Sequence, residues 1–90
     1  MAMVIPMVGE SYEIQPRNGK YFELDELQKV VGGYIEIVNL GKGKLMVVNE
    51  EGKLNDLEWN GAATAMYISY TRILDYIAGD VLVCDSNELI

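Results

Sequence analysis

The chain has 90 residues, 50% of them hydrophobic, and a net charge of −7 from 14 acidic and 7 basic side chains. This length makes one domain, residues 1–90, with a single small core that buries roughly 60–65% of the unfolded surface. The charge lacks the basic stripe of a nucleic-acid binder, so no direct contact with a DNA or RNA backbone is expected, and no run reaches the ~20 apolar residues that cross a bilayer.

The first segment, residues 3–8, is an apolar run interrupted by Pro6, which places it as an edge strand or at a bulge. Residues 12–15 alternate apolar and polar, as a short strand does. Pro16, Arg17, Asn18 and Gly19 make a turn. Residues 25–31 predict a short helix. Leu24, Leu27, Val30 and Val31 share its apolar face, Asp25 and Glu26 sit at its positive end, and Gly32-Gly33 stops it.

Residues 34–40 and 45–48 predict two strands joined by Gly41-Lys42-Gly43 as an antiparallel hairpin. The unbroken apolar run Leu45-Met46-Val47-Val48 implies burial on both faces or a central position. Residues 49–52 form a turn, and 53–57 predict a short return strand. Asn60 is placed to cap a helix over residues 61–70. Ile73 and Leu74 fit the same pattern, and Ala62, Met66, Tyr70 and Ile73 make a rough buried stripe. Gly79-Asp80 turns the chain into a last strand, 81–84, followed by a polar tail at 85–88 that is expected to fray. The order is β(β)-α-β-β-α-β. The expected class is α+β, a small antiparallel or mixed sheet with two helices on one face.

The residues for common catalytic devices are missing. The sequence has no histidine, which removes serine and cysteine triads and the usual metal ligand. The single cysteine, Cys84, cannot close an intramolecular disulfide or build a zinc site, and its apolar strand reads as structural. No GxxxxGK[ST] or GxGxxG pattern occurs. Gly41-Lys42-Gly43-Lys44 leads into a strand rather than a helix, so it reads as a hairpin turn. The adjacent carboxylates Asp25/Glu26 and Glu50/Glu51 favour a helix start and a solvated turn. No catalytic residue, metal or cofactor is therefore expected. The start MAMVIPMVGESYE lacks the basic region and apolar core of a signal peptide, so a soluble, cytoplasmic protein is expected.

One group is chemically unusual: Trp59, Asn60, Tyr67, Tyr70 and Arg72. Aromatic rings with a guanidinium and an amide can hold a nucleobase by stacking and hydrogen bonds. The same tyrosines can equally flank the core or an oligomer contact, with their hydroxyls in water. Six tyrosines and five methionines in so small a chain predict a homo-oligomer, a dimer or larger.

Three stretches carry a family resemblance: F-x-L-x-E-L-Q-x-x-V-G-G-Y-I-E from Phe22 to Glu36, V-V-N-E-E-G-K-L from Val47 to Leu54, and N-x-A-A-T from Asn60 to Thr64. I-x-G-D-V-L-V from Ile77 to Val83 matches too. In this order they resemble a small domain family of bacteriophages, prophages and conjugative plasmids, domain of unknown function 3846. The family supplies no catalytic residues. It commonly has an arginine after the capping asparagine, where this chain has Gly61. The resemblance implies a mobile-element protein that confronts host defence in the host cytoplasm. Two stoichiometric mechanisms fit: capture of a small nucleotide signal within an oligomer, or docking on a host defence protein through an acidic surface. A structural or regulatory module of the mobile element is the alternative.

Overall fold

The computed structural model describes residues 1–89. Five strands and two helices follow one another as β1 (Ala2–Ile5), β2 (Tyr12–Ile14), α1 (Leu24–Val31), β3 (Ile35–Gly41), β4 (Lys44–Asn49), α2 (Gly61–Thr71) and β5 (Val81–Asp85). One five-stranded sheet results, in the order β2-β1-β5-β4-β3, and every neighbouring pair is antiparallel. This is the expected α+β class in the expected order.

The helices lie on opposite faces, not on one. The cause is the two-sided apolar pattern of the inner strands. Val4, Val47, Leu82 and Cys84 form one core with Leu27 and Val31 of α1. Ile5, Met46, Val48 and Val81 form a second core with Ala63 of α2. Successive side chains alternate across a sheet. Strands β4 and β5 are apolar at both parities, so each face needs its own cover. The run Leu45-Met46-Val47-Val48 already showed this double burial.

Other differences have local causes. β1 is an inner strand between β2 and β5. It ends at Ile5, so Pro6 falls just beyond the ladder and costs no hydrogen bond. Residues 53–57 turn rather than return as a strand; only Trp59 bridges to Ala78. α2 ends where Arg72 adopts a left-handed conformation, φ 62°, and its N–H donates to the Ile68 carbonyl at 2.8 Å. Ile73 and Leu74 therefore leave the helix, and Leu74 is 87% exposed. The expected stripe shifts to Ala63 and Thr64, with Met66 and Tyr67 half-buried, while Tyr70 and Ile73 lie in solvent.

The tail is docked rather than frayed. Ser86–Glu88 forms one turn of 3-10 helix. The Phe22 N–H donates to the Glu88 carbonyl at 2.7 Å, and Leu89 packs on the core around α1.

Surface ion pairs pin the loops. The Arg17 guanidinium forks onto Asp25 at 3.0 and 3.1 Å and reaches Glu23 at 3.1 Å. Glu26 accepts from the backbone N–H groups of Arg17 and Glu23, both at 2.8 Å. Lys44 Nζ meets Asp85 Oδ1 at 2.6 Å. The carboxyls of Asp25 and Asp85 are held below their usual value by hydrogen bonds from Arg17 and Lys44 respectively, and Glu26 by the N–H of Glu23. Lowered native values mean that the unfolded chain takes up protons first on acidification. This support is complete above the ordinary carboxylate range and fades as pH falls through the native values. Melting temperature should therefore drop progressively below about pH 4. A melting curve that stays level from pH 6 to pH 2.5 would contradict this.

Candidate functional site

A cleft of about 200 Å³ opens on the α2 side of the sheet, beside edge strand β3. Buried Val48, Ile77 and Ala78 lie at its base. Tyr67 from α2 and Tyr76 from the α2–β5 loop contribute aromatic rings. Glu36 from β3 and Glu50 from the turn after β4 bring carboxylates.

The turn after β4 and the α2–β5 loop are clasped together. Lys53 Nζ meets Asp75 Oδ1 at 2.7 Å and lies 4.3 Å from the centre of the Tyr76 ring. The hydrogen bond to Asp75 raises the Lys53 ammonium above its ordinary value and lowers the Asp75 carboxyl. The cleft thus already holds one ammonium between a carboxylate and an aromatic face. Three acidic groups and one basic group line it, so its formal charge is negative.

A second, more open hollow of about 330 Å³ lies near the C-terminus of α1, lined by Gln28, Tyr34, Glu51 and Asn55 among others. Asn49 borders both spaces, but its amide is engaged by the fold. Its Nδ2 donates to the Val31 carbonyl at 3.0 Å, and its Oδ1 accepts from the Glu51 N–H at 2.8 Å.

Of the five residues singled out in the sequence, only Tyr67 lines the cleft. Asn60 is buried and fully used. Its Oδ1 accepts from the Ala63 N–H at 3.0 Å, and its Nδ2 donates to the carbonyls of Ile5 and Gly79, both at 2.9 Å. It has no donor left for a ligand. Trp59 is 63% exposed and lies over Gly61, where an added Cβ would come 3.2 Å from the indole. The ring fills the space that a side chain at position 61 would enter. Tyr70 and Arg72 are exposed at the end of α2, outside the cleft. Among the described residues, Arg72 makes no ion pair.

Nothing in the sequence points to Lys53, Asp75 and Tyr76: residue 53 reads as the start of a return strand, and Asp75 and Tyr76 fall between the helix over 61–70 and the turn at Gly79. Lys53 lies in the V-V-N-E-E-G-K-L stretch, which implies no ligand chemistry, and residues 75 and 76 carry no motif. The left-handed turn at Arg72 that closes α2 lets the chain bring Asp75 back onto Lys53. Cys84 is buried, and burial pushes its thiol up to about 11, which keeps it protonated and unreactive at neutral pH. Among the described residues, no group of three or more acidic or cysteine side chains could hold a metal ion. No described helix is long and apolar enough to cross a membrane.

The structure defines a small α+β domain with a two-faced antiparallel sheet and a negatively charged, tyrosine-lined cleft at one edge. The sequence model of the family called domain of unknown function (DUF3846) matches residues 1–89, and the chain belongs to that family. No curated protein and no solved structure matches the chain.

Proposed function

We propose that this is a non-catalytic accessory protein of a phage or other mobile element that acts against host defence by stoichiometric binding. Of the two mechanisms, docking on a basic segment of a host protein has the better physical support. The observation that carries it is the cleft, where tyrosines and carboxylates surround an ammonium already seated on Tyr76 and Asp75. A lysine or arginine side chain finds a favourable field there, both from the ring faces and from the net charge of −7. An anionic nucleotide meets the opposite field.

Capture of a nucleotide signal is the second reading. It rests on Arg72 and Tyr70, which are exposed close together at the end of α2. A second subunit would have to complete such a pocket, because Asn60 is engaged elsewhere and Trp59 lies over Gly61. Self-association belongs to both readings. Its support is the number of large apolar side chains left in solvent, among them Tyr34, Ile37, Leu54, Leu74 and Tyr76.

A thermal-shift comparison separates the two. A short oligo-arginine peptide at low salt should raise the melting temperature. The gain should disappear in the Glu36→Gln, Glu50→Gln double variant and in high salt. A panel of mono-, di- and cyclic nucleotides should leave the curve unmoved. If a nucleotide raises it and Arg72→Ala cancels the effect, signal capture replaces docking. If neither probe acts, a module that serves the mobile element itself is the better reading.

A further inference from the structure

We infer that the outer edge of β3 is where two copies of this chain join, strand to strand about a two-fold axis centred on Ile37, so that the two sheets become one. This rests on the self-association proposed above and names its surface.

The hydrogen-bond parity of β3 sets the register. The Glu50 N–H donates to the Tyr34 carbonyl at 2.9 Å. In the ladder, Glu36 faces Val48 and Val38 faces Met46. Directly bonded pairs alternate along an antiparallel ladder. The backbone groups of Glu36 and Val38 therefore turn inward to β4. Those of Ile35, Ile37 and Asn39 turn outward, where the sheet ends. No described residue takes them.

Both edges of the sheet are open, but they are not equivalent. β2 has three residues, with Glu13 in its middle. β3 has seven residues and a single ionisable side chain, Glu36. No proline or lysine blunts it, and a long, weakly charged edge of this kind is a template for another strand. Tyr34 is 67% exposed beside it and Ile37 is 49% exposed within it.

The occupant that fits is a second copy. An antiparallel pairing centred on Ile37 sets Ile37 against its own mate and Ile35 against Asn39, so all three outward residues are used. Glu36 then lies opposite Val38. A shift that centres Glu36 would set two carboxylates face to face, which is destabilising. A shift that centres Val38 would set Ile35 against Gly41, beyond the point after Asn39 where the register of β3 is already broken. Glu36 and Val38 also line the cleft. The second copy brings its own pair to the same side of the joined sheet, so each cleft gains a wall and the two run together across the axis.

Light scattering at tens of micromolar should give twice the 10.1 kDa chain mass. Higher salt should strengthen the association by screening the like-charged subunits. Ile37→Lys places two ammonium groups at the axis and should return the mass to that of one chain, with an unchanged circular dichroism spectrum. Ile37→Cys should cross-link to a covalent dimer under mild oxidation, since directly bonded pairs have Cα atoms about 5.5 Å apart. Asn39→Cys faces Ile35 instead and should cross-link far more slowly. A single-chain mass for the unaltered protein overturns both the interface and self-association. A dimer that survives Ile37→Lys, or that cross-links equally at both positions, overturns this interface and leaves self-association standing.

Discussion

Replacing Asn60 with alanine should cost about 3–5 kcal/mol of folding stability, from the loss of a helix cap and of two buried hydrogen bonds. Three backbone segments meet at this one side chain. Its oxygen caps α2 at the Ala63 N–H, and its nitrogen ties the end of β1 at Ile5 to the turn before β5 at Gly79. Alanine would leave two carbonyls facing a small void in a place that is 1% exposed. The total stability of a chain this size is about 5–13 kcal/mol, so the loss is a large part of it. Asn60→Asp separates the two jobs. The carboxylate keeps the cap but turns an acceptor toward two carbonyl oxygens, so it should destabilise at least as much as alanine at neutral pH. Urea unfolding midpoints measure both. An Asn60→Asp variant close to the unaltered protein would show that capping alone matters here.

Phe22→Ala should cost about 3–5 kcal/mol, as expected for deleting a ring from a packed core. Phe22 is 2% exposed, and it packs with Leu27 and Val31 of α1 and with Leu82 of the sheet. Its backbone also receives the C-terminal segment, through the bond to Glu88 and a parallel bridge to Leu89. The cavity would lie where helix, sheet and tail meet. Amide exchange should therefore rise in residues 86–89 as well as in α1. Faster exchange confined to α1 would mean that the tail is held by the pair of Glu88 with the Met1 ammonium at 3.3 Å and not by this core.

Both positions fall inside the stretches that carry the family resemblance, and the structure gives most of those residues work in the fold. Asn60, Ala63 and Thr64 cap α2, cover the second core and bond Ile77. Asn49 joins the end of β4 to the end of α1. Gly52 lies so close to the Ala78 carbonyl that an added Cβ would come within 3.2 Å. The recognisable pattern therefore speaks about architecture. The cleft residues Glu36, Glu50 and Lys53 lie in the same stretches, while Tyr67, Asp75 and Tyr76 lie outside them.

The hairpin β3–β4, the helix α1 with its glycine stop, the cap at Asn60 and the strand β5 were legible in the sequence. Each is set by local chemistry: turn glycines, apolar spacing and a side chain that bonds its own helix start. The α+β class follows from their order. Other features depended on the tertiary structure. The helices part to opposite faces because β4 and β5 are apolar at both parities and both sides need cover. β1 moves inward because β2 takes the edge. α2 stops at Arg72 although apolar residues continue, and the chain leaves the helix to bond Ile77 to Thr64. The cleft is the least local feature of all. Lys53 and Asp75 are 22 residues apart, and nothing near either one in the sequence names the other. The left-handed stop of α2 at Arg72 and the clasp over Tyr76 bring them together.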